Sequence, residues 1–252
     1  MALMAAHGEI GPMPDCGIFA DTGWEPAHVY EHLDRLEKLL PFPVYRVSAG
    51  NLRDEIASVR PTGKFLKIDI PAFVSNNGKP GGLVNRSCTR DFKIDPIRRK
   101  VRELLGIAGK RSPKEAVVEQ WIGISIDEVI RMKPGREAWQ VSRWPLIEKR
   151  MARSDCLRWM DRNGYPEPKK SSCIGCPFHS DAEWRALSKE EFADAVEVDR
   201  RLRDTTRGIA RTKGELFLHR TCKPLDEVDF STAEDRGQLN LFLNECEGMC
   251  GV

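Results

Sequence analysis

No stretch of this chain approaches the roughly 18 consecutive apolar residues that a membrane-spanning helix requires. The start, Met1 to Ala6, is apolar but short. It has no basic leader and runs directly into His7-Gly8-Glu9, so it does not read as a secretory signal. Neither sign of charge dominates: 40 Lys+Arg against 38 Asp+Glu leave a net charge of +2, which argues neither for nor against a nucleic-acid partner. Internal repeats and low-complexity segments are missing too. These absences point to a cytoplasmic globular chain. With 252 residues, 40% of them hydrophobic, it has enough material for one α/β domain with an appendage or for two small domains. In such a compartment its eight cysteines read as metal ligands or reactive thiols rather than disulfides.

Residues 1–8 read as the tail of a helix closed near Gly8. Asp15 to Asp21 is a short apolar run ending in an acid and a glycine turn, as a buried parallel strand ends at its functional edge. Pro26 opens a helix with Val29, Leu33, Leu36 and Leu40 on one face, and Pro43 to Ser48 is a second strand, completing a βαβ unit. Residues 60–87 look like a long, partly ordered loop. Asp95-Pro96 starts a helix, and Val117 to Ser125 is a third strand. A short helix over 154–162 is capped by Ser154, Ser180-Asp181-Ala182-Glu183 is a capping box, and a charged helix covers roughly 189–203.

The richest signal is Ser171-Ser172-Cys173-Ile174-Gly175-Cys176-Pro177-Phe178. Two thiolates at this spacing can bind one metal centre, and the flanking turn residues leave both sulfurs free to converge. Cys156 lies on the preceding helix, where it is either a further ligand or a small buried residue. Cys88 arrives from far upstream amid basic residues that favour its thiolate. Together Cys88, Cys156, Cys173 and Cys176 would complete a cysteine-only site for an iron–sulfur cluster or a zinc ion. A redox dithiol at Cys173/Cys176 fits less well, because the motif does not end a strand of a thioredoxin-like βαβ pattern.

Two turns are candidate ligand contacts. Asp21-Thr22-Gly23 follows a strand, where ligands of doubly wound folds sit, although it also reads as an ordinary βα turn. Gly123-Ile124-Ser125, with Glu128 and Arg131 beyond it, offers a backbone turn, a hydroxyl, a carboxylate and a guanidinium suited to a nucleotide's ribose and phosphate. Arg98 to Arg102 form the solvated face of a helix. Arg90 and Lys93 precede that helix, where anions bind, and are the candidate phosphate or sulfate ligands.

In this order and combination the motifs resemble the PAPS reductase family, within the adenine-nucleotide alpha-hydrolase (ATP-pyrophosphatase-like) superfamily, over roughly residues 15–220. Asp21-Thr22-Gly23 resembles the family's D-T-G segment. Cys88-Thr89-Arg90-Asp91-Phe92-Lys93 through Ile97 resembles its cysteine, basic residue, Pro-Leu element. Gly123 to Arg131 resembles its glycine-to-arginine motif, with Ser125 and Val129 in place of the usual Arg and Ser. The C-x-x-C-P-F loop resembles the cluster loop of its iron–sulfur branch, which includes adenylylsulfate reductases and the sulfur-transfer protein of DNA phosphorothioation.

The resemblance implies a Rossmann-like α/β domain over 1–150, with a parallel sheet covered by helices on both faces. A helical region over 151–252 would carry the metal loop and the tail. It implies a 4Fe-4S cluster, with zinc as the alternative, and ATP, PAPS or APS as nucleotide. The implied chemistry is sulfonucleotide reduction or adenylylation-linked sulfur transfer. Implied partners are a thioredoxin-like reductant or sulfur donor and a nucleic-acid acceptor, with no membrane partner. The family also has a leading strand and a Ser-Gly-Gly-type phosphate loop, which this sequence does not show. Its reductases end in a Glu-Cys-Gly motif bearing the nucleophile. Glu245-Cys246-Glu247-Gly248 is similar, which makes Cys246 the candidate nucleophile. The rival expectation is a non-catalytic relative, stabilised by zinc or a cluster, that senses a nucleotide or binds a partner.

Overall fold

A computed structural model describes residues 1–56, 70–76, 79–84, 87–133, 135, 137–206 and 214–232. The apolar start forms helix α1 (Ala2–Ala6), and the chain turns at Gly8, whose φ of +73° suits a residue without a Cβ. Strand β1 (Gly17–Asp21), helix α2 (Ala27–Leu39) and strand β2 (Val44–Ser48) make the expected βαβ unit. The strands pair in parallel from Gly17–Val44 to Asp21–Ser48. Pro26 stands just before α2, in extended conformation. Helix α3 (Leu52–Ile56) follows.

Part of the expected long loop is instead a hairpin, strands β3 (Phe73–Asn76) and β4 (Lys79–Leu83). A wide π-type helical turn, Thr89–Ile94, then runs without a break into α4 (Asp95–Leu104). Asp95-Pro96 is therefore no free helix start, because the turn ahead of it supplies helical carbonyls. Beyond it lie parallel strands β5 (Val118–Trp121) and β6 (Gln140–Arg143), with a 3-10 turn, Ile126–Arg131, between them. Helices α5 (Pro145–Glu148), α6 (Arg153–Arg162), α7 (Asp181–Arg185) and α8 (Lys189–Thr206) come next. Ser154 does not cap α6. The Asp155 carboxylate reaches back to the Ala152 N–H at 2.8 Å and closes that end. The Ser180/Glu183 capping box opens α7 as expected. Strand β7 (Glu215–Phe217) pairs with β3, giving a three-stranded antiparallel sheet in the order β4-β3-β7.

The architecture is thus mixed α/β. Among the described residues the parallel strands form two separate pairs, not one continuous hydrogen-bonded sheet. The burial of β1 agrees, since all five of its residues are only half-buried, unlike a central strand covered on both faces. Two cores hold the described residues together. One joins Trp24, Leu52, Ile70 and Phe92 to Cys173, Trp184, Val198 and Leu216, so it draws on both sides of residue 150. The other packs Leu3, Met4, Ala5 and Ile10 against Leu146 and Trp159, with Leu36 of α2 and Leu40 just beyond it alongside. No helix among the described residues is long and apolar enough to cross a membrane.

Candidate functional site

The turn that closes β1 meets the cysteine loop. Gly23 adopts φ +69° with residue 51 pressed against it, since a Cβ there would stand 3.1 Å from Asn51 Cα. The Thr22 carbonyl accepts the Leu52 N–H at 2.8 Å, and the Trp24 carbonyl accepts the Ile174 N–H at 2.8 Å. This second bond fixes the C-x-x-C loop onto the first βα turn. Trp24 is anchored on its other side, donating Nε1–H to Asp194 Oδ2 of α8 at 2.6 Å. The loop also closes on itself. Cys176 N–H donates to the Cys173 carbonyl and His179 N–H to the Cys176 carbonyl, both at 3.0 Å, while Ser172 Oγ and His179 Nε2 lie 2.8 Å apart.

Cys173 and Cys88 belong to the core at this junction, and Cys176 lies on the same loop as Cys173. Cys173 Sγ lies 3.3 Å from Thr22 Oγ1 and 3.6 Å from Glu25 Oε1. Cys88, leading into the π-type turn, packs against the same core. That turn also delivers Lys93, whose Nζ lies 3.7 Å from Glu25 Oε1. Burial works against the Lys93 charge, but Glu25 and then Cys173, Cys176 and Cys88 outweigh it and hold its pKa above the ordinary lysine value. Burial pushes the Cys173 thiol up to about 12, reinforced by Glu25 and opposed by Lys93 and the Thr22 hydroxyl. Burial likewise pushes Cys176 up to about 11, with Cys88 adding to it.

Glu25 is the residue the sequence reading missed. It is only 4% exposed. Its Oε1 accepts from Thr22 Oγ1 at 3.0 Å, while its Oε2 is buried without a hydrogen-bond partner. Its one available signal was position, immediately beyond the D-T-G turn.

The remaining expected residues divide. Thr22, fully buried, belongs to the thiol group. Asp21 serves its own turn, accepting Gly23 N–H at 2.8 Å and Tyr30 O–H at 2.9 Å. Lys93 faces the thiols, but Arg90 is exposed and paired with Asp91 at 2.9 Å, so the two cations do not share one anion site. In the wide i→i+5 turn, residues three apart do not share a face as they would in an α-helix. Arg98 and Arg99 face solvent, Arg98 pairing with Glu137. Ser125 is buried and bonds Asp127 at 3.3 Å, Glu128 and Arg131 pair with each other, and Gly123 lies against the Met1 side chain. That segment follows β5, so among the described residues the two ligand turns border different hydrogen-bonded sheets.

Cys156 is the main correction. It packs with Trp159 and Met160 in the second core, because its helix turns that face toward α1, away from the core holding Cys88 and Cys173. Cys246 lies outside the described residues.

Among the described residues no group of three or more His, Cys, Asp or Glu side chains stands ready to hold a metal ion. The donor chemistry nonetheless suits one. Cys173, Cys176 and Cys88 each act on the Lys93 ammonium electrostatically, and Glu25, whose Oε1 lies 3.6 Å from Cys173 Sγ, has a second oxygen buried without a hydrogen-bond partner. Soft thiolates select zinc or iron–sulfur centres, and three protein ligands are what a zinc site with an exchangeable position uses. No family model, curated protein or solved structure matches the chain.

Proposed function

We propose that this protein is an enzyme of PAPS reductase type, performing nucleotide-dependent sulfur chemistry at a metal centre held by Cys88, Cys173 and Cys176. The observation that supports the reading is the docking of the C-x-x-C loop on the turn closing β1, where Cys173 Sγ lies 3.3 Å from Thr22 Oγ1 and 3.6 Å from Glu25 Oε1, which faces Lys93 Nζ at 3.7 Å. Two thiols come from a local C-x-x-C loop and one from far upstream, and all three act electrostatically on the partly exposed Lys93 ammonium. The ligand-bearing edge of the parallel pair lies at the same turn, where an adenine nucleotide or sulfonucleotide would sit. When bound, the centre would supply thiolate-ligated redox or sulfur-carrying capacity. Lys93 would hold anionic sulfur or phosphate oxygen beside it, and Thr22 and Glu25 would orient Cys173. In its finer form the fold is Rossmann-like, which requires the two parallel pairs to belong to one sheet.

The test is anaerobic purification of the full chain, with iron, labile sulfide and zinc quantified, followed by addition of ATP, PAPS and APS. The expected result is a brown protein absorbing near ~400 nm that releases AMP or its 3′-phosphate from one of these nucleotides. A protein that binds metal but none of the three nucleotides would leave a metal-stabilised, non-catalytic relative. A protein that binds neither would remove the reading altogether.

A further inference from the structure

Away from the thiol junction, three side chains form a line where the chain leaves β7. Thr221 Oγ1 lies 2.8 Å from His219 Nδ1, and His219 Nε2 lies 3.2 Å from Oδ1 of Asp181, the first residue of α7. Thr221 is exposed, while His219 is only 2% exposed, so the line runs from solvent to a buried imidazole. We infer that this is a second reactive site, in which Thr221 is a nucleophile toward activated esters of carboxylic acids, His219 is its general base and Asp181 positions the base. None of these residues belongs to the thiol junction, so the inference does not rest on the sulfur-chemistry reading.

The hydrogen bonds fix the direction of the line. A carboxylate only accepts, so the proton between His219 and Asp181 sits on Nε2. A neutral imidazole carries one N–H, which leaves Nδ1 an acceptor. The Thr221 N–H, which only donates, reaches the same Nδ1 at 3.3 Å and requires this tautomer independently. The Thr221 hydroxyl must therefore donate to Nδ1. Hydroxyl to imidazole to carboxylate is the order that activates a nucleophile, and it is recognised by geometry rather than by sequence position. Burial holds the His219 pKa below the ordinary histidine value despite Asp181, which keeps the imidazole a neutral base. Arg220 Nη2 holds the other Asp181 oxygen at 3.1 Å, and Phe230 meets the imidazole edge-on with ring centroids 5.4 Å apart.

The backbone gives a second reason. Cys222, next to the threonine, has φ +53°, a left-handed conformation that is costly for a residue with a Cβ. It is held there by its N–H on the His219 carbonyl at 3.0 Å and by its Sγ at the Val74 carbonyl, 3.6 Å away. Strain of this kind concentrates where a reactive side chain must be presented in one geometry. Here the tight turn exposes Thr221 while keeping its hydroxyl on the buried ring.

The reaction follows from the placement. Thr221 Oγ1 bonds to the ester's carbonyl carbon and its proton passes to His219 Nδ1, giving an imidazolium opposite Asp181. His219 returns that proton to the leaving oxygen as the ester C–O bond breaks, leaving acyl-threonine. Water then attacks the acyl carbon, giving a proton to Nδ1, and the same proton returns to Oγ1 as the acid departs.

The probe is p-nitrophenyl acetate, incubated with the full chain, quenched in acid at short times and followed by mass-spectrometric mapping of acetyl groups. Mapping separates threonine from the cysteines and lysines that the reagent also acetylates. Acetyl is expected on Thr221 of the wild type, and on residue 221 of Thr221→Ser, which keeps the hydroxyl. His219→Gln and Asp181→Asn should each acetylate Thr221 at least about tenfold more slowly, with urea unfolding confirming that the variant is folded. Asp181 is far less buried than His219, so Asp181→Asn keeps the proposal testable if His219→Gln does not fold. No acetyl on Thr221 of the wild type would overturn the site. Acetylation of Thr221 at the wild-type rate in folded Asp181→Asn or folded His219→Gln would also overturn it, and would reduce the three side chains to a brace for the turn.

Discussion

The indole of Trp24 fills the space that a side chain on residue 175 would need: a Cβ built on Gly175 would stand 2.1 Å from its Cη2 and 2.7 Å from its Cζ3. The ring cannot swing aside freely, because Asp194 holds its Nε1–H at 2.6 Å and it is 3% exposed. Gly175→Ala must therefore displace either the ring or the cysteine loop. It is expected to lower unfolding stability in urea by roughly 1–3 kcal/mol, the usual cost of overpacking. Gly123→Ala is the control. Its nearest neighbour is the flexible Met1 side chain at 3.7 Å, so its effect should stay within about 0.5 kcal/mol. Equal effects would mean that the contact between ring and loop does not constrain the site.

The parts legible in the sequence were those whose cause is local. The βαβ unit showed in the apolar run before Asp21 and the stripe Val29, Leu33, Leu36, Leu40, and α7 showed in its capping box. What failed was set by distant partners. Strand β4 contains Pro80, Gly81 and Gly82, residues that disfavour strands, and its hairpin is completed by β7 from the other end of the chain. Cys156 and Cys88 carry the same chemistry in sequence, and only the packing of two cores separates them. Lys93 and Arg90 parted because a π-type turn rotates them to different faces. Glu25 has no local pattern to mark it, and only the fold brings its carboxylate to Cys173 and Lys93.

Asp199 joins α8 to the chain that returns over it. It is fully buried and accepts the Leu218 N–H at 2.8 Å and the Leu225 N–H at 3.0 Å, while pairing with Arg203. Asp199→Ala strands two buried N–H groups and removes one partner of the largely buried Arg203 guanidinium. The expected cost is about 3–5 kcal/mol in urea unfolding. Asp199→Asn, which keeps one acceptor, should fall between the alanine variant and wild type. A loss under about 1 kcal/mol for alanine would show that water replaces the carboxylate there.

Glu183 gives stability a definite pH dependence. Burial raises its pKa, but hydrogen bonds from Ser180 N–H at 2.8 Å and Ser180 O–H at 2.9 Å, with Lys170 nearby, outweigh that and leave it below the ordinary glutamate value. A carboxylate with a depressed folded pKa binds protons less readily folded than unfolded. Its contribution is therefore complete above the unfolded value of about 4.3 and fades as pH falls through the folded one. Glu183→Gln should cost about 1 kcal/mol at pH 7, with the gap from wild type closing as the pH is lowered below that range. A gap that is constant with pH would assign the effect to packing rather than charge.

The separation of Cys156 from the other thiols yields the sharpest test of the candidate site. Cys156 packs among Trp159, Met160 and the α1 core, where burial raises its thiol pKa. Cys88 shares its core with Cys173 and interacts with Cys176 and Lys93. Replacing either by serine removes one sulfur and leaves a hydroxyl, so the two variants differ only in place. Cys88→Ser should reduce the bound metal of anaerobically purified protein to a small fraction, because two remaining thiolates cannot hold a three-sulfur centre. Cys156→Ser should keep the wild-type metal content and lose only about 1 kcal/mol of stability from burying a hydroxyl in an apolar setting. Metal analysis beside urea unfolding reads both quantities on the same samples. Metal lost from Cys156→Ser but kept by Cys88→Ser would reverse the assignment and place the centre in the second core.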